Sequence, residues 1–368
     1  MNRHCFILLL FLITFSLSCS EEPTSSNTEQ QIQIDLVKLN EAFNSARNLD
    51  RVKCLIVSCQ DTFYKADFFL PGAETQTHDV MSVTKSVTSL LIGIAIDKGF
   101  IPSVDEPIDG YIRPLVNDLD STKGQITIRQ LLTMSCGLEW SEIPGPSEFL
   151  QWYYSPDKLL YILNKPFASV PGESFNYSDG AAHLASVVLT QATNMTANEF
   201  AKQYLFTPLG ISDRVWTTDN RGFNYGGVRL FLYPYDMLRI GKLVLNKGRW
   251  GNEQIVSEEW INESSKFQIS TENVIPYGSS YGYYWWRATA NNYNFFYANG
   301  HGGQFIVVVP DYELIVVATT NWSGLNDQQV GTLWYNLMSI IVNEVLTSFV
   351  KTQFFSEYYV WFPSYVLL

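Results

Sequence analysis

Segments that read as β-strands lie near the two ends of this 368-residue chain, with helix and loop between them. Near the start, Val52–Cys59 is apolar and β-branched, and Thr62–Leu70, with its aromatics, reads as its hairpin partner across Gln60-Asp61. Near the end, Tyr281–Arg287, Tyr293–Ala298, Gln304–Pro310 and Glu313–Asn321 read as four antiparallel strands joined by short turns. The simplest assembly pairs the N-terminal hairpin with the C-terminal strands in one sheet. Helices over Ile34–Asn48 and Asp327–Leu346 then lie on its face. The expected fold class is therefore α+β: an antiparallel sheet built from N- and C-terminal strands, flanked by helices, with an all-helical lobe inserted in the middle. A cleft where the two lobes meet is the natural place for a site.

One helix of the chain carries chemistry at its head. The run SVTKSVTSLLIGIAIDKGF, from Ser82 to Phe100, is apolar nearly all round, so it must be buried. It stops at Lys98-Gly99, a cation followed by a C′ glycine. Ser82 and Lys85 stand three residues apart, on one face of a helix. A serine is a weak nucleophile until a neighbour takes its proton, and a partly buried lysine is one group that does so. The helix N-terminus adds unpaired N–H groups suited to a developing oxyanion. Ser-x-x-Lys also occurs at Ser155/Lys158 and Ser348/Lys351. Ser155 precedes Pro156 and reads as a helix N-cap, and Ser348 lies in the tail, so the first pair is the candidate.

Other function classes find little support. The net charge is −12 and no basic patch is visible, which excludes an ordinary nucleic-acid binder. His78, His183 and His301 are scattered without ligand spacing, so neither a metal nor another cofactor is expected. Gly278-Ser279-Ser280-Tyr281-Gly282 fits a nucleophile-elbow pattern, but an aromatic strand follows it instead of a helix. It reads as a turn. Cys54, Cys59 and Cys136 read as buried thiols, because the odd spacing of the first two points them to opposite faces of one strand.

Residues 1–19 read as a signal segment: a basic start, an apolar run from Phe6 to Leu17 too short to span a bilayer, and a small-residue site at Ser18-Cys19. The pattern resembles a bacterial lipoprotein signal with Cys19 as the lipidated residue. It implies export and a lipid membrane anchor in the cell envelope, with surface exposure suggested by Ser20-Glu21-Glu22; cleavage near Ser18 is the plain secretory alternative. Residues 20–35 read as a polar tether, 36–347 as the folded domain, and 348–368 as an aromatic tail of no evident role.

Acyl transfer at Ser82 needs a second proton-handling group and further donors for the oxyanion. Tyr177 lies in a turn before a helix, and His301-Gly302-Gly303-Gln304 lies in a turn leading into a strand. Ser82-Val83-Thr84-Lys85, Tyr177-Ser178-Asp179 and His301-Gly302-Gly303, in this order and at these separations, resemble the three motifs of the serine β-lactamase and penicillin-binding-protein superfamily, class C-like branch. Lesser marks agree, among them Thr127–Leu132, Pro208-Leu209-Gly210 and Gly226-Gly227. The resemblance implies a β-lactamase/transpeptidase-like fold over about Leu36–Leu346. It implies that Ser82 is the acylated nucleophile, Lys85 its partner, Tyr177 an easily ionised general base and His301 the basic position of the third motif. The N–H groups of Ser82 and Gln304 would form the oxyanion hole, with Gly302, Gly303 and Asp179 in substrate binding.

Two departures shape the functional expectation. The second motif ends in Asp179 where an asparagine is usual, and the third has Gly302 where a hydroxyl residue is usual. Both weaken a site for an anionic β-lactam or a peptide C-terminus and suit a neutral or amine-bearing ester or amide. The chain is therefore expected to be a serine hydrolase of esterase or amidase type, with weak or no β-lactamase activity. The alternatives are a peptidoglycan DD-peptidase or β-lactamase, and a non-catalytic cell-envelope binding lipoprotein. Trp140–Pro156 and Tyr283–Trp286 are the expected cleft walls.

Overall fold

Every residue of Gln304–Val309 (QFIVVV) and of Leu314–Thr320 (LIVVATT) is buried, because the sheet they centre is covered on both faces. A computed structural model describes residues 30–142, 147–212 and 214–353. In it the chain divides into two units, residues 33–350 and residues 1–32 with 351–368.

The larger unit is built on an eight-stranded antiparallel sheet. Its order is Phe63–Phe68, Val52–Cys59, Leu314–Thr320, Gln304–Val309, Tyr293–Gly300, Trp286–Ala290, Ser280–Tyr281 and Ile269–Ser270. The N-terminal hairpin thus pairs with the C-terminal strands, as the sequence pattern requires: Leu55 opposes Ala318, and Ala318 opposes Phe305. Gln60 and Asp61 both take positive φ at the hairpin turn, the conformation that matches the strand twist. Side chains alternate across the sheet. The helix Pro234–Leu245 packs on the face carrying Ile306 and Ile315, both of which a side chain at Gly241 would strike. The helix Asp327–Ile340 covers the opposite face, where Trp334 meets Phe305 edge-on at 5.8 Å. The inserted lobe gathers Ile128–Leu132, Lys158–Leu163 and Ala197–Ala201 around the buried helix Asp179–Thr193.

Three expectations change. Tyr281–Arg287 is not one strand. Ser280–Tyr281 pairs antiparallel with Trp286-Arg287 as a hairpin closed by Gly282 N–H to Trp285 O (2.8 Å), and its turn bonds outward, Tyr283 N–H to Ser264 O (2.8 Å) and Tyr284 N–H to Leu132 O (3.1 Å). Ser155 is no N-cap: Asp157 caps Lys158–Leu163 through Leu160 N–H. Lys158 Nζ bonds the Ser155 carbonyl, not its hydroxyl. Gln30–Ile34, expected partly as tether and partly as helix, is a strand that forms a two-stranded ribbon with Phe349–Gln353 from the aromatic tail. The first helix then runs Leu36–Arg47, capped by Asp35.

The signal-like segment with Cys19, residues 143–146 of one expected cleft wall and the tail from Phe354 lie outside the described residues. Among the described residues no helix is long and apolar enough to cross a membrane. Cys54, Cys59 and Cys136 are free and buried.

Candidate active site

The short strand His78–Asp79 delivers the chain to Ser82 through Met81, which holds φ at +50°. A left-handed non-glycine residue costs about 1–3 kcal/mol unless its surroundings fix it. Here Asp79 Oδ1 accepts the Met81 N–H (3.0 Å) and Oδ2 takes Arg229 (2.7 Å), while Thr84 Oγ1 donates to the Met81 carbonyl (2.6 Å). Ser82 sits at the N-cap of the helix Val83–Asp97, yet its side chain makes no capping bond. Its hydroxyl is left for other work.

That hydroxyl meets Lys85. Lys85 is 1 % exposed, and its Nζ donates to Ser82 Oγ (2.9 Å), Asp179 Oδ1 (2.6 Å) and the Gly227 carbonyl (3.3 Å). An ammonium has three protons to donate, and here three acceptors surround it. Asp179 opens the helix Asp179–Thr193, where the dipole favours a carboxylate, and Ser178 caps that helix through Ala181 N–H. Gly227 is glycine for a steric reason: a Cβ there would overlap Asp179 Oδ1 and stand 3.0 Å from Lys85 Nζ. At Gly226 a Cβ would overlap the Ala182 carbonyl, and the Gly226 oxygen accepts from Thr88 (2.7 Å).

Tyr177 lies against the same pair. The Lys85 ammonium sits 4.7 Å from its ring centre, and Ser82 lies near enough to its phenol to favour the ionised form. Trp286 (5.6 Å) and Tyr281 (6.5 Å) pack behind it. The phenol is not made easier to ionise, contrary to expectation. Burial pushes its pKa well above the usual phenol range, and the Asp179 and Glu142 carboxylates push the same way. The main reason is burial, and Asp179, paired with Lys85, adds to it.

Glu142 has no signal in the sequence. Its Oε2 accepts from Trp140 Nε1 (2.8 Å) and from Asp179 N–H (3.0 Å), which sets its carboxyl close to that of Asp179. Burial first, then Asp179, raises its pKa well above the carboxylate range. Nothing in the spacing around it marks a partner for a residue 37 positions away.

The third element is the turn His301–Gln304. Gly302 (φ +76°) and Gly303 (φ +101°) hold left-handed backbone. Side chains from the neighbouring strand and its exit pin it: Thr320 Oγ1 donates to the Gly302 carbonyl (2.7 Å), and Gln304 Nε2 donates to Thr320 Oγ1 (2.8 Å). A Cβ at Gly302 would stand 2.6 Å from Trp322 Cβ. Trp322 therefore takes the room beside the turn, and His301 meets it edge-on at 5.0 Å. Burial lowers the pKa of His301, while Asp327 and Asp179 oppose that shift.

These groups surround a cleft of about 230 Å³. Ser82, Asp179, Glu142 and His301 line it, with Phe149 and Leu150 on one side and Trp322, Leu325 and Asp327 on another. Among the described residues its lining includes three carboxyl groups and no lysine or arginine. The wall expected from Trp140–Pro156 is present through Glu142, Phe149 and Leu150. Tyr283–Trp286 does not line the cleft: Trp286 backs Tyr177, and Tyr283 packs on Trp260. His183 lies elsewhere, wholly buried on Asp219 (3.0 Å), and Ser280 stands in a strand.

Residues 73–337 match the family model described as Beta-lactamase. The 6-aminohexanoate-dimer hydrolase of Paenarthrobacter ureafaciens is 23% identical over 303 residues, covering 77% of this chain and 74% of that protein. A solved structure from Bacillus anthracis, provisionally named a 6-aminohexanoate-dimer hydrolase, superposes with a TM-score of 0.68 at 19% identity, covering 84% of this chain and 82% of that one. A penicillin-binding protein from Bacillus halodurans gives 0.64 at 15% identity, covering 82% and 98%. At these identities the superpositions show the shared fold.

Proposed function

This chain belongs to the beta-lactamase family, and from that premise we propose that it is a serine hydrolase that cleaves a neutral or amine-bearing ester or amide through an acyl-enzyme on Ser82. The observation that carries the reading is the 2.9 Å contact between Ser82 Oγ and a buried Lys85 Nζ at the floor of a cleft. Ser82 Oγ attacks the substrate carbonyl carbon. Its proton passes to Tyr177 Oη as the Tyr177 proton passes to the leaving oxygen or nitrogen, so no phenolate has to exist beforehand. Lys85 stays an ammonium and stabilises the negative charge that grows on Oγ. The N–H groups of Ser82 and Gln304 receive the oxyanion, and water then reverses the path to release the acid.

The lining supports the substrate class. A β-lactam or peptide carboxylate would find no lysine or arginine among the described lining to receive it and would face Asp327, whereas a neutral or amine-bearing substrate needs no such cation. The hydrolases of 6-aminohexanoate dimer among the relatives are in keeping with an amide substrate. Intact-protein mass after incubation with activated esters, amides and β-lactams tests the reading. An acyl adduct mapped to Ser82, with turnover lost in Ser82→Ala, is expected. β-Lactam turnover exceeding that of every ester and amide would overturn the substrate class, and an adduct on another residue would overturn the nucleophile. Export with lipidation at Cys19 belongs to the same proposal on the sequence of residues 6–19. Fatty-acid labelling that persists in Cys19→Ala would refute it.

A further inference from the structure

Two carboxyl groups and one lysine share the floor of this site. Asp179 bonds Lys85 at 2.6 Å, which makes a neutral pair. Glu142 then approaches Asp179: its Oε2 takes the Asp179 N–H at 3.0 Å, which brings the two carboxyl groups into one corner of the cleft. A bond between two carboxyl groups needs a proton, since two carboxylates are acceptors only. Asp179 already accepts from an ammonium, and Glu142 Oε2 already accepts from Trp140 (2.8 Å) and the Asp179 N–H. Glu142 Oε1 is left as the place for that proton.

We propose that Glu142 is a positioning residue that acts as a neutral carboxylic acid, donating to the Asp179 carboxylate and thereby holding it on the Lys85 ammonium that aligns Ser82. The inference rests on the serine-hydrolase reading for its consequence in catalysis. If Glu142 were ionised, two adjacent carboxylates would face one cation, and like charges that close resist ionising together. The groups facing this carboxyl agree. Burial and Asp179 raise its pKa, against smaller opposing effects of Lys85 and the Trp140 indole. Tyr177 is uncharged, and Asp327 and His301 face the same cleft.

The sign of the pH effect follows. In the window between the ordinary glutamate value, about 4.3, and its raised value in the fold, the folded chain binds one proton more than the unfolded chain. Stability and alignment are therefore full below that window and fall as pH rises through the folded value.

Glutamine is the informative replacement, since its amide offers an acceptor for Trp140 and Asp179 N–H and a donor for the Asp179 carboxylate, and it does not titrate. Glu142→Ala is expected to lower kcat by about a hundred-fold through misalignment, with KM changed far less. Glu142→Gln is expected to recover most of that loss and to remove the alkaline fall in kcat. A Gln variant as damaged as the Ala variant, or an alkaline limb unchanged in it, overturns the proposal. Infrared spectroscopy gives an answer that does not depend on turnover. The wild type should show a carboxylic-acid carbonyl band at neutral pH that is absent in Glu142→Gln, and no such band refutes the neutral acid. A wild type that shows the band but acylates with no ester or amide would sink the hydrolase reading while leaving the protonation of Glu142 in place.

Discussion

Removing one oxygen from Tyr177 tests the proton path with little disturbance of packing. Tyr177→Phe keeps the ring against Trp286, Tyr281 and the Lys85 ammonium. It deletes the proton that the proposed relay passes between Ser82 and the leaving group. The expected outcome is a fall in kcat of about 10²–10⁴-fold with the unfolding midpoint little changed, measured by ester hydrolysis and thermal denaturation. A loss under tenfold would assign the relay to another group. The same residue sets a pH expectation: burial, then Asp179 and Glu142, keep the phenol protonated, so kcat shows no inflection near the ordinary phenol value of about 10. Gly227 supplies the steric counterpart. In Gly227→Ala a methyl would overlap Asp179 Oδ1 and crowd Lys85 Nζ, so the ion pair must open. A stability loss of about 1–3 kcal/mol is expected by denaturant titration, together with loss of Ser82 acylation; full acylation would mean that the pair is not needed. Ser82 and Lys85 were legible as a pair because helical spacing alone puts them on one face. Glu142 was not, because its partner comes from a different element and no periodicity links position 142 to 179.

Elements differ in how far their sequence reports their setting. The helix Val83–Asp97 is apolar all round, and its burial, its start and its glycine stop could be read directly. The turn His301–Gln304 could be read as a turn, but its occupant could not: Trp322 arrives from the far end of the adjacent strand, and nothing local to Gly302 announces it. The absent hydroxyl at position 302 is thus one half of a change whose other half is an indole. Gly302→Ala should cost about 1–3 kcal/mol through its positive φ and the Trp322 overlap, read as a shift in denaturant midpoint. Adding Trp322→Ala should relieve the steric part, so that the double variant is more stable than the two single losses predict. Strict additivity would place the whole cost in the backbone. The Tyr281–Arg287 segment failed as one strand because its aromatic run hides a turn: the backbone reverses over Gly282–Trp285 and Tyr281 pairs with Trp286.

At the scale of the whole molecule, strand placement at both ends was enough to close the sheet, because a short hairpin and four C-terminal strands have few other partners. The ribbon of Gln30–Ile34 with Phe349–Gln353 was hidden, since the alternation Gln31-Ile32-Gln33-Ile34 is short and leads straight into the helix Leu36–Arg47. What ties the Ser82 approach to that sheet is His78. It precedes the catalytic turn, is 2 % exposed, and its Nδ1 lies 2.8 Å from Thr319 Oγ1 on a central strand, where Cys54 Sγ also contacts the same hydroxyl (3.1 Å). Burial, with the nearby Lys53 charge, lowers the His78 pKa to about 4 from the usual 6.5. The unfolded chain therefore binds one proton more than the folded chain between those values. By linkage, stability from the neutral imidazole is complete above about pH 6.5 and is lost as pH falls to about 4, a total of roughly 3 kcal/mol. Denaturant titrations across that window should show the loss in the wild type and a smaller slope in His78→Gln. If the slope is unchanged, the acid response belongs to other groups and His78 is not the joint between the Ser82 approach and the sheet.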